Sequence, residues 1–368
     1  MQNIQIHIAD IHFGAIDPIE QYNILHKQFI LPLWDCPFDI LSIDGDLFDR
    51  KFIASSMAVE MAIKFVTECA QLCEYHNAAL ILISGTESHE AGQLSLFKEL
   101  GNISTAEIYI VEHASFVYTH DLKILCLPEE YGKGYEYYAP LLNQIYDCCF
   151  MHGTIAGGVY GCNEEDLNAR RPVFDLSSFI RCKGPIIAGH VHEHMCLKQY
   201  IYYVSNPIRY KFGEEGAKGY GIVLMNDNGH YYQFMEIDSY DYKTIQLKIE
   251  SGDNPDEVVN KINELASSIN GKLRIQISAD DDITARAVSQ YYQQSKVVKI
   301  EMQKQNKDDQ PDINTTEDIL DKYSGMDYLM DPSMSSYDKL ARYINDSVGD
   351  NFVSGQELKK YIRSQISD

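Results

Sequence analysis

The sequence predicts a layered α/β protein, two sheets packed face to face, with a smaller α/β unit and a helical tail behind it. Three observations carry this reading. Short, almost wholly apolar runs of four or five residues recur through the first 190 positions, as strands buried on both faces do. Amphipathic stretches with helical spacing lie between the early runs. After Gly189 the pattern changes to strand-like runs separated by turn residues, the mark of hairpins.

Taken in order, residues 4–8, 40–43, 79–83, 108–111, 124–127, 148–151 and 185–188 are predicted as buried strands. Residues 19–33 and 55–75 are predicted as helices, the second capped by Ser55 and Ser56. Hairpin-type strands follow at 200–204, 221–225 and 231–237, the last two joined by a turn containing Asn228-Gly229. From Tyr242 a second unit alternates strand 242–250, helix 255–269, strand 272–278, helix 283–294 and strand 296–302. Beyond it the chain is polar and proline-interrupted, then carries short helical stretches at 317–323, 337–347 and 356–365, too small to hold a core alone. The expected domains are therefore 1–240, 241–303, a linker at 304–316 and a helical tail at 317–368.

At 368 residues, 45% hydrophobic and 23% charged, the chain has globular composition, which excludes a wholly disordered or fibrous protein. No run of about 18 apolar residues occurs, so no transmembrane helix is expected. The first eight residues lead straight into a strand, which does not read as a signal peptide. Nine cysteines with no CxxC pair read as reduced, buried thiols, and the expected location is cytoplasmic. Against 54 acids stand 31 bases, a net charge of −23, which opposes holding nucleic acid by bulk electrostatics. The excess is uneven. Residues 1–150 hold 21 acids and 7 bases, whereas residues 167–213 carry Arg170, Arg171, Arg181, Lys183, Lys198, Arg209 and Lys211 against Asp175 and Glu193.

The residues that carry chemistry sit where the predicted strands end. Strand 4–8 runs into Asp10-Ile11-His12, strand 40–43 into Asp44-Gly45-Asp46-Leu47-Phe48-Asp49, and strand 79–83 into Gly85-Thr86-Glu87-Ser88-His89-Glu90. Later strands lead into Met151-His152-Gly153 and Gly189-His190-Val191-His192. Imidazoles and carboxylates suit Mn, Fe or Zn, and α/β folds place their sites in the loops after strand ends. Each piece alone is a turn, a cap or a core histidine as readily as a ligand. Five elements of ligand type in this order are not.

In this order the motifs resemble those of the calcineurin-like metallophosphoesterases: DxH, GDxxD, GNHD/E, a later His, then GHxH. The resemblance spans about residues 4–237. Asp10-Ile11-His12-Phe13-Gly14 looks like the opening of the SbcD-type DNA exonuclease branch. Ser205-Asn206-Pro207-Ile208-Arg209, Phe212-Gly213-Glu214-Glu215 and Lys218-Gly219 are similar to that branch's segment after GHxH. The resemblance implies an αββα metallophosphoesterase sandwich with a small α/β capping domain and a tail that binds an SbcC-like coiled-coil ATPase. It implies one cation on Asp10, His12, Asp46 and His192, and a second on Asp46, His152, His190 and a residue of the third motif. Two divalent cations, expected to be Mn(II), would clamp a phosphodiester and activate a water for in-line attack. His89 matches the histidine that acts as general acid or phosphate stabiliser, and Asp49 would orient ligands or phosphate.

The third motif departs from the pattern, because it lacks the Asn whose amide oxygen is the usual ligand. Alignment on His89 places Ser88 there, with Thr86 or Glu87 as alternatives, and a hydroxyl in that role implies a weaker second cation. Arg170, Arg171, Arg209 and Lys211 are expected to contact DNA phosphates, with Tyr210 able to stack on a base. The reading that follows is a Mn-dependent DNA exonuclease or endonuclease. It would be a homodimer through 55–75 and 93–100, working with an SbcC-like ATPase in DNA repair or recombination. The ATPase would supply most of the DNA affinity. A small-substrate phosphodiesterase or phosphatase, and a catalytically decayed scaffold for the ATPase, are the alternatives.

Overall fold

The computed structural model describes residues 2–90, 92–156, 172–214, 216–250, 252–279, 282–295 and 297–302, with isolated positions beyond. It divides into a unit Met1–Lys304 and a unit Gln305–Asp368. The expected linker and helical tail fall almost wholly outside the described residues.

Within the first unit the chain alternates as its apolar runs dictate. Strands β1 (Asn3–Ile8), β2 (Ile40–Asp44), β3 (Ala79–Ile83) and β4 (Glu107–Val111) lie parallel. Helix α1 (Pro18–Leu25) and helix α2 (Met57–His76) lie between the first three in sequence. Next come β5 (Ser115–Thr119), β6 (Leu122–Leu127), helix α3 (Tyr135–Leu142) and β7 (Cys148–His152). The paired short strands β8 (Thr154–Ile155) and β9 (Val173–Phe174) precede β10 (Ile186–Gly189), β11 (Met195–Leu197) and β12 (Ile201–Tyr203). The hairpin β13 (Gly219–Asn226) and β14 (Gly229–Glu236) closes the series. Two six-stranded mixed sheets result, ordered β14-β13-β1-β2-β3-β4 and β11-β12-β10-β7-β6-β5.

The period of two in each strand assigns its side chains to different cores. Leu80 and Leu82 of β3 face α1 and α2, while Ile81 and Ile83 face the second sheet. In β7, Cys148 and Phe150 enter the layer between the sheets, and Cys149 and Met151 pack outward with Tyr138 and Leu142 of α3. Three cores separate four layers, helix, sheet, sheet, helix, and this is why the strands read as continuous apolar runs. The exception is β1, which sends Ile6 and Ile8 outward but His7 inward. His7 Nδ1 meets Asp44 Oδ2 at 3.0 Å and His7 Nε2 meets Gln5 Oε1 at 3.3 Å. Gln5 Nε2 in turn donates to Asn3 Oδ1 at 2.9 Å, so this buried polar row is hydrogen-bonded throughout.

The smaller α/β element is a parallel sheet, β15 (Asp241–Ile249), β16 (Gly271–Ala279) and β17 (Val298–Met302), with helices α4 (Pro255–Ser267) and α5 (Asp282–Tyr291) as crossovers. Its own core joins Ile249, Ile262, Leu273, Ile275, Ile277 and Val288. Phe212 packs edge-on against Tyr242 at 5.3 Å and lies 5.0 Å beneath the Arg274 guanidinium, so its role is packing against this element. In the segment 93–100 expected at the dimer surface, Gln93–Phe97 is a 3-10 segment, and Leu100–Ile103 is a separate short turn of helix. Among the described residues no helix is long and apolar enough to cross a membrane.

Candidate metal centre

The five sequence motifs all leave the C-terminal ends of strands. After β1 and β2 the two loops run as a pair. The N–H groups of Asp10, His12 and Phe13 donate to the carbonyls of Gly45 (3.0 Å), Asp46 (2.9 Å) and Leu47 (2.8 Å). The pairing holds Asp10, His12 and Asp46 in left-handed backbone, at φ 51°, 50° and 50°, and His190 after β10 has φ 88°. Such conformations cost roughly 1–3 kcal/mol each and persist where surrounding structure over-determines them, typically at functional sites. Gly45, at φ 88°, is required by space as well, since a Cβ there would come 2.1 Å from His152 Nδ1.

The side chains so placed converge. His152 Nε2 lies 3.4 Å from Asp46 Oδ2 and 4.0 Å from Asp10 Oδ1, all three residues buried. His12 Nε2 lies 3.0 Å from His192 Nε2 and 3.7 Å from Asp46 Oδ2, and His192 Nε2 lies 3.8 Å from Asp10 Oδ1. Among the described residues four overlapping sets of donor atoms form: Asp10, His12 and His192; His12, Asp46 and His89; Asp10, Asp46 and His152; Glu129, His152 and His190.

Partners behind the imidazoles aim them. His152 Nδ1 donates to the Asp44 carbonyl at 2.9 Å, which turns its Nε2 lone pair toward Asp46. His192 Nδ1 donates to Glu214 Oε1 at 3.1 Å. Glu214 also accepts from Tyr210 N at 2.8 Å and Asn206 Nδ2 at 3.3 Å. Lys218, 2% exposed, donates to Asn206 Oδ1 at 2.6 Å and to the His192 carbonyl, which also accepts from Ser205 Oγ at 3.0 Å. The stretch from Ser205 to Lys218 is a strap that fixes His192.

The electrostatics call for positive charge. Burial raises the Asp10 carboxyl above its ordinary range, against the pull of His152 and His192. Burial opposes the charge of Asp46 too, but His152, His89 and His12 hold its carboxyl well below the ordinary range. His152 is the reverse case: burial disfavours its cation, yet Asp46, Asp10 and Glu129 raise its pKa well above that of free imidazole. Burial pushes His12 down to about 3, so it is a neutral donor at working pH. Among the described residues, Asp10 and Asp46 form their ion pairs with histidines.

A cation fits this arrangement. Donor atoms roughly 2.0–2.1 Å from one ion stand about 3.0–3.4 Å apart at ordinary bond angles. The 3.0 Å separation of the His12 and His192 nitrogens has that size. Asp10, His12, Asp46 and His192 would hold one cation, and Asp46, His152 and His190 would contribute to a second, with borderline metals the suited class.

The third motif is built differently from its alignment. A turn begins at Thr86, whose carbonyl accepts from His89 N at 2.9 Å and Glu90 N at 3.0 Å, and this leaves Ser88 exposed. Thr86 faces the site instead. Its N–H donates to Asp46 Oδ1 at 2.6 Å, and its Oγ1 lies 3.2 Å from Asp46 Oδ2 and 3.5 Å from His152 Nε2. Of the three candidates for the amide's place, Ser88 points away from the site and Thr86 is the one turned toward Asp46 and His152. His89 Nδ1 donates to Asp46 Oδ2 at 2.9 Å with the side chain 32% exposed, and that bond raises its pKa. Asp49, half-buried, meets Arg50 Nε at 3.4 Å and its charge also favours the His89 cation. Glu90 accepts from Gly85 N at 2.6 Å and from Leu47 N, tying the second and third loops together; burial, then the Asp46 charge, pushes its carboxyl up to about 7.

The expected DNA contacts divide. Arg170 and Arg171 lie outside the described residues. Arg209 braces the strap, donating from Nε to the Glu214 carbonyl at 3.0 Å and from Nη2 to the Gly216 carbonyl at 3.1 Å. Tyr210 donates its hydroxyl to the Asp10 carbonyl at 2.9 Å, so it is a support and is not free to stack on a base. Lys211 is exposed and borders a depression of about 340 Å³ shared with His190 and His192. Sequence reasoning held Thr86 only as an alternative to Ser88, and it missed Glu129 and the role of Glu214 as the partner of His192.

No family model matches the chain. It is 23% identical over 263 residues to a protein named "Putative phosphoesterase 244L" of Invertebrate iridescent virus 6, a match covering 68% of this chain and 87% of the relative. Among solved structures it is similar to the cold-active protein-tyrosine phosphatase of a psychrophile, Shewanella sp., at 11% identity and a TM-score of 0.33, covering 64% of this chain and 80% of that one. A second structure of a cold-active protein tyrosine phosphatase gives 11% identity and a TM-score of 0.31, with 61% and 74% covered.

Proposed function

We propose that this chain is a metal-dependent phosphoesterase whose substrate is DNA, the nuclease subunit of an SbcC–SbcD-like complex in DNA end processing, repair or recombination. The observation that carries the proposal is the meeting of two ligand sets at Asp46, assembled from motifs in the order of the calcineurin-like metallophosphoesterases. The name of the iridescent-virus relative supports phosphoester hydrolysis. A cation pair, with Mn(II) proposed, supplies Lewis acidity toward the phosphate and a nucleophile at neutral pH.

The chain's own residues do the rest. Asp46 holds the two ligand sets in register. Glu214 and the Asp44 carbonyl fix the rings of His192 and His152. His89, anchored through Nδ1 and partly exposed, meets a phosphate oxygen or gives a proton to the leaving oxygen. Lys211 offers a positive charge at the rim for a neighbouring phosphate. The small α/β element at 241–303 acts as a cap over the substrate, and the tail at 317–368 docks on the ATPase. The homodimer is formed through 55–75 and 93–100, where Met57, Ile63 and Leu96 are exposed apolar residues.

The test is a nuclease assay with Mn(II), with and without a co-expressed SbcC-like ATPase, on linear and hairpin DNA. Cleavage that requires the cation and is lost in His89→Ala, with metal uptake retained, is the expected result. Hydrolysis of a small aryl phosphate with none of DNA would replace the nuclease by a small-substrate phosphoesterase. No cleavage of any phosphoester, even with the ATPase, would leave a scaffold.

A further inference from the structure

In the second ligand set the amide that completes the family pattern is missing, and Thr86 brings only a neutral hydroxyl, a poorer ligand. Beside the same set, next to the third-motif loop, stands a residue from no sequence motif. Glu129 follows β6 in the run Leu127-Pro128-Glu129-Glu130, and its side chain is fully buried. Its Oε1 lies 3.9 Å from His190 Nδ1, and it forms a donor set with His190 and His152. Two donors each roughly 2.0–2.2 Å from one ion can be at most about 4.3 Å apart, so this separation admits a shared cation.

The neighbouring acid shows that the inward turn is specific to Glu129. Glu130 points outward, where it meets His113 Nδ1 at 2.9 Å, accepts from Ala114 N at 2.9 Å and from Tyr137 at 3.1 Å. The loop therefore has a structural carboxylate at 130 and a second one directed at ligand histidines at 129. A depression of about 330 Å³ bordered by Ser84, Gly85, Glu87 and Glu129 lies on this side of the site.

We infer that Glu129 is a ligand of the second cation, a carboxylate supplied from the β6 loop that takes over the place of the absent amide. This rests on the two-cation reading above and deepens it. With Asp10, Asp46 and Glu129 the site carries three carboxylates toward two dications, so the second ion is held by charge as well as by imidazole. The weak second cation expected from a hydroxyl in the third motif is thereby reversed. The carboxylate also tilts the position toward harder ions such as Mn(II) and Mg(II).

The test counts ions rather than turnover. The purified full-length chain, stripped of metal, is titrated with Mn(II) by calorimetry, and bound ions are counted by atomic emission after dialysis. Wild type is expected to take up two ions per chain. Glu129→Gln, which preserves volume, is expected to keep the first and weaken the second by at least the roughly 10–100-fold that even outer partners of ligands are worth. Adding Thr86→Asn to that variant restores an amide and is expected to recover the second ion. Glu129→Asp, which withdraws the carboxylate by one methylene, is measured as well and covers failure of the Gln variant to fold. Two ions bound with unchanged affinity in both Glu129 variants overturns this inference alone. One ion or none in wild type overturns it together with the two-cation reading.

Discussion

Glu214→Gln is the substitution whose consequence the geometry fixes most closely. The Glu214 side chain is 6% exposed and accepts three hydrogen bonds, from His192 Nδ1, Tyr210 N and Asn206 Nδ2. Burial works against the charge, but the bonds from His192 and Tyr210 N and the Lys218 charge bring its carboxyl down to about 2. Gln has nearly the same volume, so packing is conserved, but its amide nitrogen must face one of three donors. Either His192 loses the partner that fixes its tautomer, or the strap loses its bond to Tyr210. Outer partners of metal-bound histidines are worth about 10–100-fold in metal affinity, or about 1.4–2.7 kcal/mol. The first cation, held by His192, should weaken by that factor, while the second should change far less. Calorimetric titration with Mn(II) resolves the two affinities, and thermal melting of the metal-free protein reports the strap. Unchanged affinity for both ions, together with unchanged melting of the metal-free protein, would refute the argument that Glu214 aims His192.

Three further outcomes follow from the same structure. Gly45→Ala is expected to cost about 1–2 kcal/mol through its left-handed backbone alone and to lose metal uptake, because the new Cβ meets His152; melting and ion counting check it. Arg209→Lys is expected to lower stability by about 1.5–3 kcal/mol, since one ammonium cannot replace the guanidinium bonds to the Glu214 and Gly216 carbonyls, whereas Lys211→Ala leaves the melting temperature unchanged and weakens DNA cleavage. Among the described cysteines, Cys196 is expected to react first with a thiol reagent at pH 8, while Cys69, Cys73, Cys126, Cys148 and Cys149 react only on unfolding, and peptide mass spectrometry locates the label. Burial pushes the half-buried Cys182 thiol up to about 12, so it too should stay slow.

What could be read in advance follows from how each feature writes itself into sequence. Strands β2, β3 and β7 are buried on both faces, and their apolar runs expose them at once. Asp10, His12, Asp46, His89, His152, His190 and His192 were legible because a ligand set recurs in fixed order at strand ends. Strand β5 was not, because its turn into β6 uses His120 and Asp121 at φ 48° and 61° instead of the usual Asn-Gly. Helix α3 was hidden by Pro140, which the burial of Tyr138 and Leu142 overrides. Spacing within the third motif misled because the turn at Thr86 rotates Ser88 outward, a local geometry that no count of residues reveals. Glu129 and Glu214 belong to loops with many acids, and only their burial beside ligand histidines sets them apart.

The central claim is that paired cations held around Asp46 cleave phosphoesters. It is tested most directly by hydrolysis of bis(4-nitrophenyl) phosphate with Mn(II), wild type against Asp46→Asn, with bound ions counted in both. Hydrolysis by wild type that stops on chelation, together with loss of both activity and ion uptake in the folded variant, is the expected result. Hydrolysis that survives chelation, or an Asp46→Asn chain that keeps two ions and full activity, would contradict it.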